Sequence, residues 1–206
     1  MSDKLILKEL NVGPWQMNTY VLVCPQTNES VLFDPGDDPD VLSAALEGTK
    51  PQAIWLTHTH DDHVGALEEM RKRLDVPVFA HPGEHANDPK ADRWVSDGHR
   101  VTVGNFAANI RYAPGHIGDH IAYILEDDNR IIVGDIIFEG GPGKTWSAEG
   151  FRTTLDSLRD VVLKWPDDSH CYPGHGPSFR LGDIRSQVED FLIKRHPRDF
   201  HGDAEW

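Results

Sequence analysis

The sequence predicts an α/β fold built from two halves of similar style. Short apolar runs bounded by Gly, Pro, Asn and Asp recur along the chain and read as strands. Apolar residues at helical spacing follow in each half. Histidines and aspartates cluster just after the strand-like runs. In α/β folds, sites gather at that edge.

Leu5 and Leu7 open an alternating segment. Tyr20 to Cys24 and Ser30 to Phe33 read as strands joined by the turn-rich Pro25 to Glu29. In the polar run that follows, Asp38 can cap a short helix with Pro39 at its first position, and Gly48 can end it. Ala53 to Thr57 is a buried strand. His58-Thr59-His60-Asp61-Asp62-His63 comes next, and then Val64, Leu67, Met70 and Leu74 at helical spacing. Pro77 to Ala80 is another short strand. Residues 81 to 100 are polar and irregular, and read as a surface excursion beside the site.

From Val101 the strand pattern returns, with Phe106, Ala108, Ile110 and Tyr112 alternating. Ile121 to Leu125 and Ile131 to Val133 flank a hairpin signal, Asp127-Asp128-Asn129. Phe151, Leu155, Leu158 and Val162 mark a helix with Ser147 as cap. Ile184, Val188, Phe191 and Leu192 mark a last helix with Asp183 as cap. The tail from about residue 196 has no periodicity and is expected to fray. No segment reads as a linker, so residues 1–206 are taken as a single domain.

Composition narrows the function. A formal charge of −14 argues against a nucleic-acid backbone as partner, because such binding needs clustered Lys and Arg. Arg71-Lys72-Arg73, the one dense basic run, reads as a solvated helix face. Neither a secretory signal nor a membrane-spanning run is evident. Cys24 and Cys171 are the only cysteines, which fits a reducing cytoplasm. Trp15, Trp94 and Trp146 could face a partner or a pocket, although scattered tryptophans are more often core.

The run from His58 to His63 places three imidazoles and two carboxylates in six residues. Cores rarely bury such groups together unless they pair or bind metal. Neutral imidazole and carboxylate suit zinc, iron or manganese. Three more ligand-type residues follow apolar runs beside turn-forming glycine or proline: His116 in Ala113-Pro114-Gly115-His116, Asp135 in Gly134-Asp135, and His175 in Tyr172-Pro173-Gly174-His175-Gly176.

These motifs, in this order, resemble the metallo-β-lactamase superfamily, and most of all its glyoxalase II-like (hydroxyacylglutathione hydrolase-like) branch. Asn18, Tyr20 and Asp34-Pro35-Gly36 also look like that family's opening strands. The resemblance implies a four-layer αββα metallo-β-lactamase sandwich and a centre for two divalent metal ions, zinc first, with iron or manganese as alternatives. His58, His60 and His116 would hold one ion, Asp62, His63 and His175 the other, and Asp135 would bridge them. Asp34 would orient a ligand histidine, as metal-bound imidazoles generally require. His120, in Pro-Gly-His-x-x-x-His, would be structural and near the site. His81 and His85 are read as surface or hydrogen-bonding residues, and His99, His170, His196 and His201 as incidental.

Such a centre implies a binuclear metallohydrolase. Bound metal lowers the pKa of water from ~15.7 towards ~7 and stabilises a developing oxyanion. The resemblance points to a thioester such as a hydroxyacylglutathione, cleaved by attack of a metal-bridging hydroxide. Its thiolate leaves readily, because thiol pKa is about 8.5. Asp62 and Asp135 would carry the catalytic charge. In Gly141-Pro142-Gly143-Lys144-Thr145-Trp146, the resemblance gives Lys144 and Trp146 a substrate-binding role; a solvated Gly-rich loop is the alternative. The longer glyoxalase II enzymes carry a helical extension beyond the point where this chain has one helix and a tail. Arg180 is a possible substitute anion contact. Competing readings are a persulfide dioxygenase-like enzyme with one iron on His58, His116 and Asp135, a lactonase, and a non-catalytic metal-binding module. A secreted β-lactamase and a nuclease fit less well.

Overall fold

Alternation along the strands sorts side chains into three cores. In β2 (Met17–Val23), Tyr20 and Leu22 face one way while Val21 and Val23 face the other, and both sides are buried. β3 (Glu29–Phe33) and β4 (Lys50–Trp55) behave alike, with Val31, Phe33, Ala53 and Trp55 on one side and Leu32 and Ile54 on the other. Strands covered on both faces read as continuous apolar runs, which is why these segments are legible in the sequence. The computed structural model describes residues 4–83 and 91–206. His85 lies outside the described residues.

Two six-stranded sheets result. The first runs β1 (Ile6–Val12), β2, β3, β4, β5 (Val78–Ala80) and β6 (Arg93–Trp94). The second runs β12 (Phe179–Arg180), β11 (His170–Pro173), β10 (Arg130–Gly134), β9 (Ile121–Leu125), β8 (Phe106–Tyr112) and β7 (Arg100–Val103). Pairs β3–β4, β4–β5 and β10–β11 are parallel. The sheets pack face to face through Tyr20, Leu22, Phe33 and Trp55 of the first and Ile110, Tyr123, Leu125 and Ile132 of the second. Phe33, Trp55 and Tyr123 form the aromatic centre: Trp55 stacks on Tyr123 at 5.4 Å, and Phe33 stands edge-on to both.

Helices cover the outer faces. Leu42 and Leu46 of α1 (Pro39–Leu46) and Leu67 and Met70 of α3 (Leu67–Leu74) bury against the first sheet. α2 (Asp61–Val64) is a single turn between them. Leu158 of α4 (Ala148–Asp160) and Leu181, Ile184 and Val188 of α5 (Leu181–Ile193) bury against the second. The layers are therefore α, β, β, α. No helix among the described residues is long and apolar enough to cross a membrane.

Three local expectations change. Ser147 caps α4, accepting from Gly150 N at 3.0 Å, but Asp38 does not cap α1. Its backbone is left-handed (φ 50°), and its carboxylate accepts from Gly13 N at 2.9 Å instead. Asp183 lies inside the first turn of α5, behind Arg180 at the cap position. The tail, expected to lie free, is hydrogen-bonded to the loop 139–146. Gly202 and Thr145 exchange backbone hydrogen bonds of 2.8 and 3.1 Å, and Trp206 N donates to Gly140 O at 3.1 Å.

Candidate metal centre

Parallel pairing of β3 with β4 and of β10 with β11, and the antiparallel pairing of both β8 and β10 with β9, bring the ends of β3, β4, β8, β10 and β11 to one edge of the sandwich, and every predicted ligand follows one of them. After β3, Asp34 adopts φ 41° and turns its carboxylate inward. Oδ1 accepts from Thr57 N at 2.7 Å and Oδ2 from Thr57 Oγ1 at 2.7 Å. The second sheet grips the same loop: Ile121 N donates to Thr57 O at 2.8 Å, and Tyr123 OH to Leu56 O at 3.0 Å. The chain then enters α2, which presents Asp62 and His63 on one turn.

The ring nitrogens are sorted by their partners. Thr57 Oγ1 gives its proton to Asp34, so His58 Nδ1–H donates to that hydroxyl, 3.0 Å away. His63 Nδ1–H points at Asp34 Oδ2 (3.2 Å), and His116 Nδ1–H donates to Lys144 O at 2.7 Å. For His58 and His116 the contact leaves Nε2 as the lone-pair nitrogen, and on His63 it turns Nε2 towards Asp135; a partner of this kind is what fixes a metal-ligating imidazole. These three Nε2 atoms and Asp135 Oδ1 are buried without a hydrogen bond. Buried polar atoms are rarely left so. A cation between them would satisfy all four.

The donor atoms form three overlapping sets, each within 4.8 Å: His58–His60–His116, Asp62–His63–His175, and His58–His63–Asp135. Asp135 lies between the first two. Its Oδ1 is 3.5 Å from His63 Nε2, and its Oδ2 is 3.6 Å from His116 Nε2 and 3.7 Å from His175 Nε2. Asp62 Oδ2 is 3.0 Å from His175 Nε2. All seven predicted ligands thus converge, and their nitrogen and oxygen donors suit divalent zinc, iron or manganese.

Surrounding residues position the set. His120 Nε2 accepts from Asp135 N at 2.9 Å. Asn18 holds the His175 loop, donating from Nδ2 to Pro173 O (3.1 Å) and Gly176 O (2.8 Å), and Tyr20 OH donates to Pro173 O at 2.6 Å. At Gly174 a Cβ would stand 2.2 Å from Asp135 Oδ1 and 2.5 Å from His63 Cε1, so no larger residue fits. Thr57 is the positioning residue that the sequence reading missed. A lone threonine carries no ligand signal.

Electrostatics divide the histidines. Burial and the neighbouring imidazoles hold His58 well below its ordinary value, and burial with the same kind of neighbours takes His60 to about 4 and His120 to about 3. All three are neutral at pH 7, as coordination requires. Burial opposes charge on His63 too, but Asp135 and Asp34 outweigh it and push the ring up to about 10. For Asp135, burial is overcome by His63, His116 and His175, which hold the carboxyl well below the usual range.

A cleft of about 1130 Å³ opens onto the centre. Lys144 and Trp146 stand at its mouth, with Lys144 Nζ 5.0 Å from the Trp146 ring centroid. Trp15 and Trp146 are 74% and 65% exposed and line this cleft, and Trp94 is 47% exposed, so the core reading of these tryptophans is wrong. Arg180 sits on edge strand β12 and does not line the cleft. His81 stacks on Tyr112 at 4.2 Å beside a neighbouring cavity. His99, His170, His196 and His201 engage local partners away from the ligand set.

The model of the Metallo-beta-lactamase superfamily matches residues 12–190. The chain belongs to this superfamily. Its relatives there include the Probable metallo-hydrolase YqgX of Bacillus subtilis, 30% identical over 191 residues, covering 82% of this chain and 90% of that protein. A hydroxyacylglutathione hydrolase of Rhodopseudomonas palustris is 33% identical over 160 residues, covering 76% of this chain and only 61% of that longer protein. Among solved structures, the BLEG-1 B3 metallo-beta-lactamase superposes with a TM-score of 0.82 at 28% identity, covering 92% of this chain and 100% of that one. The superfamily fold binds divalent metals, and the ligand edge described above is where this member can do so.

Proposed function

We propose that this protein is a binuclear metal-dependent hydrolase of small-molecule thioesters, with zinc as the first candidate metal. The observation that supports the reading is the pair of triads with Asp135 3.5 to 3.7 Å from His63, His116 and His175, members of both. His58, His60 and His116 would hold one ion and Asp62, His63 and His175 the other. When bound, two divalent ions supply a water of lowered pKa and polarise an acyl carbonyl.

The chain's own residues do the rest. Asp34, Thr57 and His120 keep the ligand set in place, so little reorganisation accompanies reaction. The loop 141–146 joins centre to cleft: Lys144 O fixes His116, while the Lys144 and Trp146 side chains flank the entrance, where the thiol part of a substrate would lie. In the reaction, water adds to the acyl carbon and the C–S bond breaks. A carboxylate and a thiolate form; one of the water's protons passes to solvent and the other ends on the sulfur, which needs no strong acid to leave because thiol pKa is about 8.5. The hydroxyacylglutathione hydrolase among the relatives supports this substrate class.

A mononuclear iron dioxygenase would need only His58, His116 and Asp135. The additional set of Asp62, His63 and His175 favours two ions. The deciding experiment uses metal-loaded protein, metal analysis, and S-lactoylglutathione beside a neutral thioester of the same acyl group, with Asp135→Ala as control. Turnover of either ester, lost in the variant, is expected. Bound metal without thioester turnover, joined to persulfide-dependent oxygen uptake, would replace the hydrolase reading with the dioxygenase one.

A further inference from the structure

Residues 203–206, the end of the segment 199–206, form one wall of the cleft. The segment runs antiparallel to the loop 139–146, with Gly202 paired to Thr145 and Trp206 N donating to Gly140 O. Trp206 Nε1 donates to Glu139 O at 2.9 Å, and its ring stands edge-on to Phe191 of α5 at 5.3 Å. Phe200 packs edge-on to Phe151 of α4 at 4.6 Å. Gly141 admits the segment closely, since a Cβ there would lie 2.2 Å from Ala204 O.

This wall brings charge to the entrance. Asp203 and Glu205 line the cleft, and Asp203 Oδ2 is 3.4 Å from Lys144 Nζ. Among the described residues lining the cleft, Lys144 is the one side chain of permanent positive charge, and a carboxylate of the protein already pairs with it. Asp61 adds negative charge to the same rim. Away from the imidazoles and carboxylates at the floor of the cleft, the entrance also presents four aromatic side chains, Trp15, Phe138, Trp146 and Trp206. Carboxylates interleaved with aromatic faces favour a neutral or cationic group and disfavour an anionic one.

We propose that the 203–206 wall sets the charge of the accepted substrate, selecting thioesters of neutral or cationic thiols over those of anionic thiols such as glutathione. The proposal rests on the thioester-hydrolase reading and narrows it. Glutathione carries one more carboxylate than ammonium at neutral pH, so it must compete with Asp203 for Lys144 while facing Glu205. An exposed ion pair of this kind shifts a binding constant by at most about fivefold, and salt screens it.

The test compares three lactoyl thioesters, of glutathione, of neutral N-acetylcysteamine and of cationic thiocholine, at low salt. The wild type should show higher kcat/KM for the neutral and cationic esters. The double substitution Asp203→Asn/Glu205→Gln should move the ratio towards the glutathione ester by about fivefold, mainly through KM, and high salt should compress the wild-type preference. A wild-type preference for the glutathione ester, or a ratio unmoved by the double substitution, overturns the proposal. Equilibrium binding separates this failure from failure of the hydrolase reading. S-methylglutathione, the S-methyl ether of N-acetylcysteamine and S-methylthiocholine are titrated against the fluorescence of the cleft tryptophans. If no ester turns over, the hydrolase reading falls, but weaker binding of the anionic probe still supports charge selection. Equal or tighter binding of that probe overturns it.

Discussion

Asp34 stands behind His63, its Oδ2 3.2 Å from the ring's Nδ1, while the same carboxylate binds Thr57 through both oxygens. One side chain thus orients a ligand and shapes the loop that carries the others. Asp34→Asn keeps the side-chain shape and suits the left-handed backbone at φ 41°. It removes the charge that favours the Nδ1–H tautomer. Metal affinity is expected to fall about 10- to 100-fold, read by competition with a chromophoric chelator. Unchanged affinity would remove Asp34 from the orienting role.

The His175 loop depends on a strand of the other sheet. Asn18→Ala removes both Nδ2 donations, to Pro173 O and Gly176 O. Loss of such buried bonds should cost about 1–3 kcal/mol, while Tyr20→Phe, which leaves Pro173 O with its Asn18 bond, should cost about 1 kcal/mol. Urea unfolding of both variants checks the order. An Asn18→Ala effect no larger than that of Tyr20→Phe would contradict the assignment.

Gly174→Ala tests close approach directly. The new methyl would overlap Asp135 Oδ1 at 2.2 Å and His63 at 2.5 Å. The variant should remain folded by circular dichroism yet bind less metal per chain, with hydrolysis reduced in step. Full metal occupancy would show that the loop yields more easily than its packing implies.

Acid should weaken the hairpin between β9 and β10. Burial raises the Asp128 carboxyl, but the hydrogen bonds and charge of Arg130 outweigh that and hold it below the usual range. Arg130 also donates to Leu5 O at 2.8 Å, tying the hairpin to the chain ahead of β1. A depressed folded pKa gives stability that is present above the unfolded value of about 3.9 and disappears as pH falls through the folded one. Asp128→Asn should therefore destabilise the protein at pH 7, by an amount that shrinks as pH falls below the unfolded value of about 3.9. Thermal unfolding of both proteins across that range gives the comparison, and a pH-independent difference would rule out the linkage.

The candidate ligand set was legible in the sequence because its residue types stand out from what packing asks for. His58 to His63, His116, Asp135 and His175 are residue types that strand ends and glycine turns do not otherwise need in such number. The paired sheets were legible because Val21, Leu32, Ile54 and their neighbours write both buried faces as apolar runs. The wall at 203–206 left no such trace. Its anchors are backbone hydrogen bonds of Gly202 and Trp206, which impose no side-chain pattern. Trp15 was read with the core because an aromatic ring serves a core or a cleft equally well, and only tertiary placement separates the two. Asp38 was misread as a cap because its carboxylate has a competing partner, Gly13, that is distant in the chain.

Each triad draws on both sheets: His58 and His60 wait for His116, and Asp62 and His63 wait for His175, with Asp62 and His175 113 residues apart. A chain with one half folded owns no complete triad. Assembly of the centre is therefore a late event in folding, and contacts of such long range form slowly. An ion that binds only the docked pair acts as a clasp, favouring the finished molecule by mass action. Metal capture at these triads would double as proofreading of the chain's own assembly, since a complete triad exists only where the two halves have already met in register.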